Sequence, residues 1–111
     1  MPRRRRCCSV SETQIPVMVE FELPDSWPRA LAEAIPRQRR IVNELLAGGT
    51  IQSYSVSADR TRVWMVIVVE GHPSAVEEIV DDFPITRFGS YTWQPLLMTN
   101  DSSSVMHYSL N

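Results

Sequence analysis

The chain contains no lysine, and all eleven of its permanently positive side chains are arginines. Catalysis through a Schiff base on a lysine amine is therefore excluded. Each positive charge is a planar guanidinium, which is suited to holding a carboxylate or a phosphate through two parallel hydrogen bonds. The net charge is −2, and residues 1–13, with four arginines and one glutamate, leave −5 on the remainder. An acidic body argues against nucleic acid as a partner.

Cysteines and long apolar runs are also scarce. The two cysteines, Cys7 and Cys8, are adjacent, so they provide no disulfide framework. The longest strongly apolar run, VWMVIVV, has seven residues, whereas a transmembrane helix needs about 20. The first residues lack the apolar region of a secretory signal. We therefore expect a cytoplasmic protein with no membrane partner.

The chain has only two histidines, His72 and His107, and neither has a cysteine or an acidic residue at metal-ligand spacing. No metal site is predicted. A glycine-rich phosphate loop and a nucleotide fingerprint are also absent, so no cofactor is expected.

The length of 111 residues predicts one domain. Hydrophobic periodicity places that domain at residues 14–98. Residues 1–13 are expected to be a disordered basic tail, or an extension ahead of a start at Met18. Residues 99–111 are expected to be a polar tail, or an arm that packs on a neighbouring molecule.

Residues 15–24, IPVMVEFELP, alternate between apolar and polar side chains, which predicts a strand with one buried face. The apolar face carries Val17, Val19, Phe21 and Leu23. The opposite face carries Met18, Glu20 and Glu22.

The segment DSWPRALAEAIPRQRRIVNELLAGG has helical periodicity. We expect Asp25 or Ser26 to cap a short first helix. Pro36 removes a hydrogen bond and disfavours helix at the preceding residue, which predicts a kink or break near Ile35. The main helix is then predicted over about 36–47, and the double glycine that follows ends it in a left-handed conformation.

The next two segments, TIQSYSVS and RVWMVIVVE, predict a hairpin joined by a turn at Ala58, Asp59 and Arg60. Its second strand, residues 62–70, is apolar on both faces, which indicates that both faces are covered. The segment GHPSAVEEIVDDFP predicts a short helix, and TRFGSYTWQPLLM, residues 86–98, predicts a fourth strand. The stripe expected to be buried on the short helix is Val76, Ile79, Val80 and Phe83.

The order βαββαβ predicts an α+β, ferredoxin-like fold with a four-stranded antiparallel sheet. Two helices cover one face of such a sheet. The other face also carries apolar residues of the third strand, Trp64, Val66 and Val68. We therefore expect a homodimer whose sheets pack face to face and enclose a cavity.

The stretches FELP, LLAGGT, VWMVIVVEG, DDFPI and RFGSYTWQPL resemble muconolactone isomerase and its relatives over about residues 16–97. The resemblance implies a dimeric α/β barrel, in some members assembled into rings. It also implies a cofactor-free isomerase that shifts a double bond in a small unsaturated lactone acid by proton transfer. The polar face of the first strand carries Glu20 and Glu22 where the family has basic residues, so its site residues are not carried over.

The catalytic candidates are two carboxylates and one imidazole. Glu20 and Glu22 share a strand face about 6 to 7 Å apart, where a carboxylate in a cavity acts as a general base beside a carbonyl. His72 precedes the second helix and is either a proton shuttle or a helix cap.

The binding candidates are arginines that hold a carboxylate and aromatic rings that stack on a planar ligand or donate a hydrogen bond. They are Arg39, Arg40, Tyr54, Trp64, Tyr91 and Trp93. Two alternatives to the isomerase stay open, namely a cofactor-free monooxygenase or haem-handling barrel, and a non-catalytic ligand-binding or assembly protein.

Overall fold

The computed structural model describes residues 14–97. The strands are β1 (Gln14–Glu22), β2 (Ile51–Val56), β3 (Arg62–Glu70) and β4 (Ser90–Pro95). The α-helices are α1 (Arg29–Ala47) and α2 (Val76–Asp81), and 3-10 turns at Pro73–Ala75 and Thr86–Phe88 precede α2 and β4. The predicted tails, residues 1–13 and 99–111, lie outside the described residues, together with Cys7, Cys8 and His107.

The four strands form one antiparallel sheet in the order β2-β3-β1-β4. The central strands β1 and β3 pair along their whole length, from Gln14 opposite Glu70 to Glu22 opposite Arg62. The predicted order of elements and the β2-β3 hairpin are confirmed. This α+β arrangement is compatible with a ferredoxin-like fold.

Both α-helices contribute to a core on one face of the sheet. Burial of each large apolar side chain there stabilises the fold by about 1.5 to 3 kcal/mol. The core includes Val17, Val19 and Phe21 of β1, Val63, Met65 and Ile67 of β3, Leu31 and Val42 of α1, and Val76 and Val80 of α2. The predicted buried faces of the first strand and of the short helix are therefore confirmed, except that Ile79 is only partly buried.

Helix α1 is continuous, so the predicted break near Ile35 is wrong. Pro36 lies inside the helix at an exposed position. Leu31 and Val42, on either side of the proline, are both buried in the same core. Tertiary packing of this kind supplies most of the stability of a helix, and here it outweighs the missing hydrogen bond.

The predicted cap at Asp25 or Ser26 is also wrong, because α1 begins after Pro28 and has no side-chain cap. The indole N–H of Trp27 donates to the carbonyl oxygen of Arg60 at 3.3 Å. This hydrogen bond ties the segment before α1 to the β2-β3 turn, and the helix starts two residues after Trp27.

The other end of α1 behaves as the double glycine predicts. Gly48 keeps a helical φ of −85°, and Gly49 adopts a φ of +86° in the left-handed region that favours glycine. The fourth strand is shorter than predicted, since Thr86 belongs to a 3-10 turn, where its hydroxyl donates to the carbonyl oxygen of Val80.

Candidate functional site

The sheet face opposite the α-helices is called the open face below. Strand alternation and register place on it Pro16, Met18, Glu20 and Glu22 of β1, Arg62, Trp64, Val66 and Val68 of β3, Ser53 and Ser55 of β2, and Ser90, Thr92 and Gln94 of β4. One part of this face is apolar, and the part around the start of β3 is charged and polar.

An ion-pair cluster forms the charged end of the open face. The Arg62 guanidinium contacts Glu20 through one nitrogen and Glu22 through the other, the second at 3.3 Å. The hydrogen bond that Arg62 donates to Glu20 and the charges of both carboxylates hold the pKa of Arg62 above its ordinary value. Two carboxylates therefore share one guanidinium, and the cluster carries one excess negative charge.

Two shallow depressions lie beside this cluster. One, of about 200 Å³, is lined by Glu20, Glu22, Arg62, Ser90, Tyr91 and Thr92, and the other, of about 180 Å³, by Met18, Glu20, Thr92, Trp93 and Gln94. Both are smaller than the roughly 300 to 1,000 Å³ typical of ligand sites. The open face of one chain therefore needs a cover before it encloses a small molecule.

Tyr91 and Trp93 share a face of β4, as expected, but it is the face toward the helices. The Tyr91 hydroxyl donates to Asp81 at 2.8 Å, and the Trp93 indole donates to Glu77 at 2.9 Å. The Tyr91 ring also stacks on Phe21, with ring centres 5.8 Å apart. These contacts tie β4 to α2 and hold both aromatic rings on the helix side of the sheet, although the two residues also border the open-face depressions.

Tyr54 also faces the helices and lines a groove between α1 and the edge strand β2. This α1–β2 groove, of about 380 Å³, is lined by Trp27, Ile35, Gln38, Arg39, Val42, Asn43, Leu46, Tyr54 and Val56. It brings together two predicted binding residues, Arg39 and Tyr54, on the side of the sheet away from Glu20 and Glu22.

Gln38 is the buried polar side chain of this groove, with 2% of its surface exposed. Its amide nitrogen lies 3.5 Å from the Tyr54 hydroxyl, and its carbonyl oxygen has no hydrogen-bond partner. Burial raises the pKa of Tyr54, and the contact with Gln38 offsets part of that rise. An unpaired buried amide oxygen costs about 1 to 3 kcal/mol, so it is an unusual feature of a folded chain.

His72 and Arg40 lie apart from both places. His72 caps the first 3-10 turn, where its Nδ1 accepts from the backbone N–H of Ser74 at 3.1 Å. His72 follows Glu70, the last residue of β3. Glu70 lies roughly 20 Å along the strand from Trp64, the residue opposite Glu20. Arg40 is exposed on α1 and lines neither the groove nor the open-face depressions.

A third, larger cleft of about 690 Å³ runs between the first half of α1 and the end of α2. Its charged lining residues are Glu33, Arg37, Asp81, Asp82 and Arg87. None of the catalytic or binding residues proposed from the sequence lines it.

Two residues that the sequence reasoning missed are central to these sites. Arg62 lies two residues before Trp64 in β3, so strand alternation places both side chains on the open face. Gln38 lies seven residues after Leu31 and four before Val42, at a core position of the helical repeat. A polar residue inside an apolar helical stripe is the signal that points to it.

Within residues 14–97, no group of three or more His, Cys, Asp or Glu side chains is arranged to hold a metal ion. No helix of that region is long and apolar enough to cross a membrane. The chain matches no protein-family model, and no curated protein sequence is significantly similar to it.

Proposed function

We propose that two copies of the chain pack through their open faces to form a dimeric α/β barrel, with a small-molecule site at the charged end of the interface. The supporting observation is the composition of the open face. Trp64 is 38% exposed on it and Val68 of the same strand is partly exposed, whereas Val66 between them is 5% exposed. A second copy offers the same apolar surface in return, which suits the self-complementary contact of a twofold dimer.

The size of the sheet is adequate for such a contact. The strands are six or nine residues long, which gives a flat area of roughly 500 Å² from the usual rise and strand spacing. Because side chains protrude from the sheet, the area that each partner buries exceeds this flat area and approaches the ~800 Å² per partner of a standard interface. We therefore expect a dimer of moderate affinity.

Proton transfer is the chemistry that the charged end supports. A carboxylate becomes a stronger base when a partner removes its water. It takes a proton from the carbon beside a carbonyl, and the resulting enolate regains a proton further along the conjugated system. Glu22 has the longer contact with Arg62 and the more exposed side chain. Glu22 is therefore the proposed proton carrier, and Glu20 with Arg62 positions the ligand.

The reaction proposed is the isomerisation of a small unsaturated lactone or carbonyl acid without a cofactor, and the test is hydrogen exchange. In heavy water, the chain should introduce deuterium beside the carbonyl of an unsaturated lactone, as measured by NMR. Glu22→Gln should abolish the exchange, and Glu70→Gln is the matched control because Glu70 lies at the far end of the same face. No exchange across a panel of lactones and enones contradicts the isomerase.

The dimer has a separate test, sedimentation velocity across micromolar concentrations. Trp64→Glu should convert the dimer to a monomer of 12.7 kDa, because it puts a charge in the apolar contact. Leu46→Glu is the matched control, because Leu46 is also 38% exposed but lies on α1. A wild-type chain that stays monomeric throughout refutes the dimer.

A further inference from the structure

The open face has few positive charges. Within residues 14–97, strand register places a single arginine on it, Arg62. Arg39 and Arg40, which the sequence predicts to hold a carboxylate, lie on α1 instead. The other arginines of this region also lie in helices or turns, and they are Arg29, Arg37, Arg60 and Arg87. An anionic ligand on the open face therefore has Arg62 as its cation.

Arg62 is already occupied by carboxylates of its own chain. One of its terminal nitrogens contacts Glu20, and the other lies 3.3 Å from Glu22. A guanidinium holds a carboxylate best through two parallel hydrogen bonds from its fork. A ligand carboxylate gains that contact only by displacing one of the two glutamates, which would then lose its own counter-ion.

The charge of the open face is negative. Glu70 lies on it as well as Glu20 and Glu22, so three carboxylates stand against the one guanidinium of Arg62. A second copy that packs on this face brings the same set of charges. Exclusion of water lowers the effective dielectric constant and strengthens the repulsion between like charges. An enclosed site at this end of the face therefore disfavours an anion.

Neutral groups make up the rest of the polar lining. Thr92 lies opposite Glu20 in the sheet and borders both open-face depressions. Ser90 borders one of the depressions and Gln94 the other, where Met18 adds apolar surface. Hydroxyl and amide groups donate hydrogen bonds to a carbonyl oxygen and carry no charge. This lining suits a small ester or lactone ring.

We propose that the open-face site takes an unsaturated lactone that carries no carboxylate, with its ring carbonyl oxygen accepting a hydrogen bond from Thr92, and that it rejects the corresponding lactone acid. This inference rests on the proposed function, which includes both classes of substrate. Glu22 takes a proton from the carbon beside the carbonyl, and the electron pair moves onto the carbonyl oxygen as an enolate. The Thr92 hydroxyl stabilises that oxygen, and Glu22 returns the proton further along the conjugated system.

The test compares two compounds that differ in charge and little in size. They are an unsaturated γ-lactone with a carboxymethyl side chain and the primary amide of the same compound. Deuterium exchange beside the ring carbonyl is followed by NMR at pH 7. The amide should show a kcat/KM at least tenfold above that of the acid, a difference of about 1.4 kcal/mol. Added salt should narrow this ratio, because it screens the repulsion.

Charge variants identify the cause of the preference. Glu20→Gln leaves one carboxylate beside Arg62 and should bring the acid within about threefold of the amide, whatever its effect on the overall rate. Arg62→Gln removes the cation and should widen the ratio. Glu70→Gln is the matched control, because Glu70 lies roughly 20 Å along the strand from the residue opposite Glu20, well beyond the Debye length of about 8 Å. It should keep the wild-type ratio.

The role of Thr92 has its own readout. Thr92→Val keeps the shape of the side chain but removes the donor, so kcat for the amide should fall at least tenfold while KM changes little. Thr92→Ser should restore most of the rate. Equal rates in Thr92→Val and the wild type refute the hydrogen bond to the ring carbonyl.

Binding of the saturated forms of both compounds, which cannot isomerise, separates this inference from the proposed reaction. It is measured through the NMR signal of Thr92. If the saturated amide binds at least tenfold more tightly but no exchange occurs, the charge preference stands and the isomerase is wrong. If the acid is exchanged as fast as the amide, the isomerase stands and this inference is wrong. A preference that persists in Glu20→Gln also refutes it, and no binding of either compound overturns both.

Discussion

Gly89→Ala is expected to destabilise the fold through a steric clash rather than through backbone strain. The φ of Gly89 is −154°, an extended conformation that alanine adopts readily. A Cβ at this position would lie 3.0 Å from the Phe21 ring and closer than that to the carbonyl oxygen of Glu22. Both neighbours belong to β1, a central strand that cannot move away without disturbing the core.

The magnitude follows from those contacts. Forcing one methyl group into a packed site costs about 1 to 3 kcal/mol. The displacement also strains the adjacent pairing of Glu22 with Ser90, and one backbone hydrogen bond contributes about 0.5 to 1.5 kcal/mol. Replacing glycine returns about 0.4 to 1 kcal/mol by restricting the unfolded chain. The midpoints of these ranges give a net expected loss in the free energy of unfolding of about 2 to 2.5 kcal/mol.

Urea denaturation followed by circular dichroism measures this loss, and a domain of this size should also melt roughly 10 to 20 °C lower. Gly48→Ala is the matched control, because Gly48 has a helical φ and its Cβ would meet the Glu44 carbonyl oxygen at an ordinary 3.5 Å. It should be neutral or slightly stabilising. A Gly89→Ala variant within about 0.5 kcal/mol of the wild type refutes the steric argument.

Three further outcomes are expected. Pro36→Ala should raise the free energy of unfolding by about 1 to 3 kcal/mol in urea, because Pro36 is exposed and alanine restores a helical hydrogen bond; an unchanged midpoint contradicts this. Hydrogen bonds, chiefly the one from the Ser57 side chain, lower the pKa of Asp59 from 3.8 to about 2. The contribution of ionised Asp59 to the stability of the fold is therefore present above pH 4 and disappears as the pH falls toward 2. Asp59→Asn should reduce the dependence of the melting temperature on pH between pH 4 and 2. An unaltered dependence contradicts a role for the Asp59 hydrogen bonds. Burial and then the hydrogen bond to Asp81 raise the pKa of Tyr91 to about 12, so Asp81→Asn should lower it in an ultraviolet titration, and no shift argues against the contact.

Much of the secondary structure could be predicted because the local patterns are strong. The alternation in β1 and the doubly apolar β3 identify two central strands, and the double glycine ends α1 where Gly49 takes a positive φ. Local rules failed where tertiary contacts opposed them. Pro36 does not break α1, because Leu31 and Val42 are buried in one core on either side of it.

The candidate sites could be predicted only in part. Alternation along β1 places Glu20 and Glu22 on one face, and the same rule groups Tyr91 with Trp93. Alternation alone does not say which pair lies on the helix-covered face, because that depends on the register between the strands. That register puts Glu20 beside Arg62 and leaves the two aromatic rings on the opposite side.

The amino-acid sequence by itself determined the order of the elements, their amphipathic faces and the absence of lysine chemistry, since these depend on residue type and short-range spacing. The tertiary structure alone decided which distant side chains meet. It joined Glu20 and Glu22 through Arg62, and it buried Gln38 beside Tyr54 with one oxygen unpaired. Such contacts depend on sheet order and helix docking, which are fixed by the packing of the whole core and not by any one segment.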